Sequence, residues 1–280
     1  MGFFSPSWFE SDVEMIRFKL TLAYDGAAYH GWQSRPDGSG VQNRVEAALA
    51  RLFASEPKVE SSSRTDSGVH AWGMVAHVDV PGAENRMPPG KLALALNALL
   101  PDDIRVRSAV RVAGNFHARF DATGKQYRYQ VWNGPVMDPL RRTQAWHVPR
   151  ALDLAAMREA AGFLIGRHDF RSFTANRGVV LEDAVRTLTR CEIRKNSAQV
   201  TFVIEGGGFL YKMCRGIVGT LVQVGEGRFP PETVTAMLEQ KDRRAGGVNA
   251  PARGLVLWKV FYGKKTGTGI APVPVEFGNL

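Results

Sequence analysis

The residue types best suited to chemistry lie in one polar run, Ser61-Ser62-Ser63-Arg64-Thr65-Asp66-Ser67-Gly68-Val69-His70-Ala71. Arg64 stands two residues before Asp66, so the run can present a carboxylate beside a cation. A neighbouring cation favours the ionised carboxylate, the form that acts as nucleophile or base. The same composition also suits a plain turn, with Asp66 accepting from backbone amides and Gly68 supplying a positive φ. Residue types alone leave both readings open.

The elements around this run decide whether it is anchored. Residues 16–24 alternate, with Ile16, Phe18, Leu20, Leu22 and Tyr24 on one side and Arg17, Lys19, Thr21 and Ala23 on the other, which predicts a half-buried strand ended by Asp25-Gly26. Val41, Val45, Ala48, Leu49, Leu52 and Phe53 recur at helical spacing and predict an amphipathic helix over 41–53. Strands are expected at 58–62 and 74–80, a helix at 91–100 and a strand at 104–112. The polar run thus falls in a loop between two strands, where catalytic groups concentrate.

That order, β-α-β-β-α-β, is the ferredoxin-like arrangement. The second half repeats it in element order, though not residue by residue. A strand is expected at 127–133, a helix at 152–164, a hairpin from 184–194 and 199–205, a helix at 210–224, an extra helix at 231–239 and a last strand at 255–262. The expected architecture is α+β: two ferredoxin-like halves forming a large, mainly antiparallel sheet with helices on one face. The chain divides into a tail at 1–15, a first half at 16–112 carrying the loop at 61–71, a second half at 113–263, and a tail at 264–280.

Composition narrows the function classes. The chain has 280 residues, 44% of them hydrophobic, enough for a sizeable core. Lysine and arginine number 36 against 27 acids, a formal net charge of +9. That excess favours a polyanionic partner, because a cation set against a phosphate releases counterions; solubility alone is the plainer explanation. Only Cys191 and Cys214 are present, which gives neither a disulfide framework nor a zinc site and suits a reducing, cytoplasmic setting. No run of about eighteen apolar residues exists, and the start lacks the basic-then-apolar pattern of a signal peptide. Neither metal-ligand spacing nor a Walker or dinucleotide glycine fingerprint occurs.

The polar run resembles the active-site loop of the TruA family of tRNA pseudouridine synthases. Arg64, Thr65, Asp66, Gly68, Val69, His70 and Ala71 match that loop, while Ser63 and Ser67 stand where the family usually has Gly and Ala. Further matches are Tyr24-Asp25-Gly26, Gly31-Trp32-Gln33, Val41-Gln42, Phe116-His117-Ala118-Arg119-Phe120 and Lys125-Gln126-Tyr127-Arg128-Tyr129. Gly166-Arg167-His168-Asp169-Phe170, Met213-Cys214-Arg215-Gly216-Ile217-Val218-Gly219 and Ala250-Pro251-Ala252-Arg253-Gly254-Leu255 follow in order. The resemblance runs from about Arg17 to Tyr262.

It implies an isomerase that needs no metal and no cofactor and converts uridine to pseudouridine in the tRNA anticodon stem-loop at positions 38, 39 and 40, and it implies a homodimer. It makes Asp66 the catalytic carboxylate, as nucleophile or as base, and Arg215 the cation paired with it. Tyr127 becomes the ring that stacks on the everted uracil, Leu255 an apolar contact on the base's other side, and Arg64 the residue that holds the nucleotide out. Each also has a plainer reading: Arg215 as a helix residue laying its stem along apolar neighbours, Tyr127 as a strand aromatic, Leu255 as core, Arg64 as a phosphate contact. His70, His117 and His168 read as structural or RNA-facing. Arg119, Arg141, Arg142, Arg167 and Arg171 are candidate phosphate contacts. Two rival functions are an RRM-like RNA-binding module without catalysis and a hydrolase. The first lacks the aromatic strand such modules carry; the second lacks a convincing second acid near Asp66.

Overall fold

The computed structural model describes residues 14–85, 87–175 and 182–263. The expected tails therefore lie outside the described residues, except for Glu14 and Met15, and Met15 already opens the first strand. The strands are β1 Met15–Tyr24, β2 Val59–Ser61, β3 His70–Pro81, β4 Ile104–Val112, β5 Ala122–Trp132, β6 Trp146–His147, β7 Gly166–Asp169, β8 Val185–Asn196, β9 Gln199–Gly206 and β10 Leu255–Tyr262. The helices are α1 Val41–Ala50, α2 Pro89–Leu99, α3 Leu154–Gly162, α4 Met213–Gly225 and α5 Thr233–Gln240.

All ten strands join one sheet in the order β4-β1-β3-β10-β5-β9-β8-β7, with β2 paired to β3 and β6 to β5. The alternation read along β1 is kept: Phe18, Leu20, Leu22 and Tyr24 are buried. Met74, Ala76, Val78 and Val80 of β3 are buried in register with them, Leu20 facing Ala76 and Phe18 facing Val78. Burying those apolar faces against α1 and α2 drives this half together. In the other half Val200, Phe202 and Ile204 of β9 are fully buried beside β5, and α3 packs against α4 and β8.

The sheet is mostly antiparallel, with one join that matters for function. The last strand, β10, sits in the middle, antiparallel to β5 and parallel to β3. The parallel pairing covers only Val256 with His70 and Leu257 with Ala71. Beyond it the strands part, and β2 takes up the edge of β3, pairing Ser61 with Ala76 and Val59 with Val78. The residues between β2 and β3 are the polar run, so the loop is held where the sheet divides.

Several boundaries differ from the sequence expectation for local reasons. The helix expected at 210–224 begins at Met213, because Lys212 adopts a left-handed φ of 57° and breaks the turn before it. The helix expected to reach Phe53 ends at Ala50; Leu52 and Phe53 continue the apolar spacing from a turn in which both amides return to the Leu49 carbonyl. Strand β5 starts at Ala122 and β3 at His70, both earlier than expected. The short strands β6 and β7 carried no alternation long enough to read.

Candidate active site

The loop between β2 and β3 is fixed from both sides. Trp32 N–H donates to the Thr65 carbonyl at 3.2 Å, Gly68 N–H to Tyr29 O at 3.2 Å and Val69 N–H to Asp66 O at 3.1 Å. The hydroxyls of Tyr24 and Thr65 share a hydrogen bond of 2.7 Å in the interior. Gly31 permits the approach of Trp32 N–H to the Thr65 carbonyl: its φ is +93°, and a Cβ there would lie 2.5 Å from that oxygen. Gly68, with φ +75°, supplies the positive φ that the turn reading required. The run is therefore a tight turn, and the turn is what presents Asp66. His70 anchors its far end: Nδ1 lies 3.0 Å from Gly26 N and 2.9 Å from Asp25 Oδ1, while Nε2 lies 3.0 Å from the carbonyls of Thr143 and Arg253. With both ring nitrogens engaged, His70 is structural.

A cavity of about 620 Å3 opens over this loop, within the range of about 300–1,000 Å3 usual for ligand pockets. Asp66, Arg64, Tyr127 and Leu255 all line it. Arg64 is exposed at its rim and Leu255 is buried, a core residue that also shows a surface to the cavity. Tyr127 is 7% exposed, with its hydroxyl 3.4 Å from Ser63 Oγ and its ring edge-on to Phe209 at 5.0 Å. Burial pushes the Tyr127 hydroxyl well above the ordinary tyrosine range, so it stays protonated and can donate. Tyr129 is the plain core aromatic, fully buried and donating to Pro251 O at 2.7 Å.

Arg215 is the fifth expected site residue, and it does not line the cavity. It sits in the first turn of α4 and brings Nη1 to 3.8 Å from Asp66 Oδ2. Its Nε donates to the Ala250 carbonyl at 2.7 Å, and Ala250 N–H donates back to the Arg215 carbonyl at 3.0 Å. The helix reaches that segment because Gly219 has no side chain; a Cβ there would fall 1.8 Å from Val248 O. The carboxylate thus faces the cavity with a fixed guanidinium on its far side.

Among the five arginines read as phosphate contacts, only Arg119 lines the cavity. Arg141 is tied to Asp138 and Gln199, and Arg171 lies 3.6 Å from Asp169. His168 meets the Ile165 carbonyl. Cys191 and Cys214 are both buried and unbonded; burial raises the Cys214 thiol, which touches the cavity as a neutral group.

Among the described residues one set of side chains has ligand-like proximity, Glu60, His77 and His117, whose ligand atoms lie within 4.8 Å of one another. The Nδ1 of His117 faces the amides of Arg119 at 3.1 Å and Phe120 at 3.3 Å, so it is the acceptor, and the ring proton belongs on Nε2. That Nε2 lies 3.0 Å from Glu60 Oε2, a donor meeting a carboxylate. A cation would have to displace this proton while Nδ1 kept two donors in front of it, so the donor set fits a hydrogen-bonded group better than a metal.

Phe209 and Lys125 line the cavity without a role assigned to either from the sequence, Lys125 being named only within the matched motif. Phe209 is far from Tyr127 in the chain and sits after the Gly206-Gly207-Gly208 run, with no periodicity to flag it. Lys125 stands two residues before Tyr127, and strand alternation alone puts both on one face.

With this geometry in place, the comparisons with known proteins are specific. A family model described as tRNA pseudouridine synthase matches residues 21–121 and 160–263. The chain belongs to the tRNA pseudouridine synthase family, isomerases that act on tRNA. It is 44% identical over 250 residues to tRNA pseudouridine synthase A of Exiguobacterium sp., covering 89% of this chain and 99% of the relative. It is 45% identical to the protein of that name from Bacillus pumilus, over 88% of this chain and 99% of the relative. It is 41% identical to the one from Methylacidiphilum infernorum, over 90% and 97%.

Proposed function

We propose that this protein isomerises uridine to pseudouridine in the anticodon stem-loop of tRNA, at positions 38, 39 and 40, with Asp66 as the carboxylate that acts at the sugar–base junction. The observation that carries the reading is the placement of Asp66: in a tight turn, on the wall of a cavity large enough for one nucleotide, 3.8 Å from the Arg215 guanidinium.

A stacked or paired uridine must leave its helix to reach such a carboxylate. Arg64, exposed at the rim, occupies the space the base vacates, where a planar cation both stacks and hydrogen-bonds. Tyr127 and Leu255 receive the everted uracil between a flat ring and an apolar surface. The N1–C1′ bond breaks, the uracil turns, C5 joins C1′, N1 gains a proton and C5 loses one, so no atoms are gained or lost overall. Asp66 serves either as the nucleophile at C1′ or as the base in the glycal route, and Arg215 keeps a cation beside the carboxylate throughout. The net charge of +9 suits a polyphosphate substrate.

The same reading makes the protein a cytoplasmic homodimer, supported by its resemblance to the TruA family and by two unbonded thiols that suit a reducing compartment. No helix among the described residues is long and apolar enough to cross a membrane.

The test is positional. Transfer RNA lacking modification is incubated with the protein and pseudouridine is mapped along its whole length. The reading predicts pseudouridine at 38, 39 and 40 wherever uridine stands there, and nowhere else. Product confined to another arm of the tRNA overturns the anticodon assignment. Sedimentation of the free protein at twice the 30.8 kDa chain mass supports the dimer, and sedimentation at the monomer mass removes it.

A further inference from the structure

Lys125 lies on β5 two residues before Tyr127, so both side chains leave the same face of the strand and both line the cavity. None of the hydrogen bonds or ion pairs of the described residues engages its ammonium. Its nearest charged influence is another cation, Arg119, on the same cavity wall. An ammonium partly withdrawn from water without a counter-charge is unfavourable. Burial, with the Arg119 charge adding to it, pushes the Lys125 ammonium down to about 8.

We propose that Lys125 is the backbone-anion site of this cavity, its ammonium binding the phosphodiester that flanks the everted uridine. The proposal rests on the everted nucleotide entering here. Two residues along a strand span about 6.6 Å, comparable to the step from a base to its own phosphate. With Tyr127 against the uracil, Lys125 meets the backbone, and Arg119 strengthens the same anion-binding site. The nucleotide is then held at base and phosphate together, which fixes C1′ relative to Asp66. The other titratable or charged side chains around the cavity are Glu60, Arg64, Asp66, His117, Tyr211 and Lys212, while Tyr127 and Cys214 are kept neutral by burial.

The experiment measures affinity for an anticodon stem-loop by fluorescence anisotropy, with wild type, Lys125→Met, Lys125→Arg and Asp66→Asn. Binding an anion raises the lysine's proton affinity, so wild-type affinity should fall as pH rises through about 8, read between about pH 6.5 and pH 9. Lys125→Arg, charged throughout, should bind without that fall. Lys125→Met should bind about ten-fold more weakly at pH 7 and lower the salt slope by about one contact. A neutral methylphosphonate on one side of the target uridine should weaken wild type by the same factor and add nothing to Lys125→Met.

Lys125→Met with unchanged affinity and salt slope overturns the site. So does a wild type indifferent to methylphosphonates on both sides, an arm that stands even if Lys125→Met fails to fold. Asp66→Asn separates the two readings. If Asp66→Asn is inactive while Lys125→Met binds normally, only the lysine proposal falls; if Asp66→Asn turns over normally, the cavity assignment falls with it.

Discussion

Arg215 brings Nη1 to 3.8 Å from Asp66 Oδ2 while its Nε is held at 2.7 Å by the Ala250 carbonyl. The guanidinium is therefore aimed by the backbone of the segment leading into β10, whether or not the carboxylate is charged. A cation fixed in advance costs no reorganisation when charge shifts at the reacting centre. Arg215→Lys keeps the charge and loses the Nε clamp. It should lower kcat about a hundred-fold, or ~3 kcal/mol in the barrier, with stem-loop affinity little changed. Steady-state kinetics beside anisotropy checks this, and a kcat within about three-fold of wild type contradicts the clamp.

Tyr127 divides into a ring and a hydroxyl. Tyr127→Leu removes the ring and should cost about 1–3 kcal/mol of substrate stabilisation if the uracil stacks there. Tyr127→Phe keeps the ring and removes the donor that burial holds protonated, so its loss should fall on kcat rather than KM. Ser63→Gly removes a hydroxyl 3.4 Å from that donor. Its effect should be the smallest of the three, below about three-fold, since a bond of that length is weak.

Gly31→Ala tests how the turn is held. The new Cβ would lie 2.5 Å from the Thr65 carbonyl at a φ of +93°. Stability should drop by about 1–3 kcal/mol, the usual cost of a strained position. Activity should fall more than the folded fraction does, because the displaced segment carries Asp66. Circular dichroism melts and turnover on the same sample separate the two effects.

Arg17 grips Asp79 with paired contacts of 2.6 and 2.5 Å. The guanidinium holds the Asp79 carboxyl below its ordinary 3.8. A depressed carboxylate contributes stability that is present above its unfolded value and is lost as pH falls through the lower folded value. Asp79→Asn should therefore lower Tm at pH 7 and narrow its gap from wild type as pH drops below about 4. The pair is partly exposed, so the shift should be small. A gap that widens toward acid contradicts the assignment.

The alternation of 16–24 and the spacing of 41–53 were legible because a one-sided element repeats its burial every second residue or every turn. The strand at 70–81 was readable only from Met74 onward, since Trp72 and Gly73 interrupt the pattern where β3 turns from β10 toward β2. No local signal says that the last strand inserts between β3 and β5, because strand order is set by long-range pairing. Asp66, Arg64, Tyr127, Arg215 and Leu255 were nameable from matched motifs. That Arg215 stands outside the cavity wall, clamped by Ala250, depends on α4 closing on Val248 through Gly219 and had no sequence signature. Lys125, though part of a matched motif, carries no sequence signature of a site, because a lysine in a strand usually reads as a solvated charge and its lack of a partner among the described residues is visible only in three dimensions.

The carboxylate itself is tested most directly by single-turnover release of tritium from C5 of a labelled anticodon stem-loop, comparing wild type with Asp66→Asn at equal occupancy. Joining C5 to C1′ must expel that label, whereas binding alone cannot. Wild type should release the label, and Asp66→Asn should do so at least about a thousand-fold more slowly, with RNA affinity kept within about three-fold. Release by Asp66→Asn within ten-fold of wild type would contradict a catalytic role for Asp66.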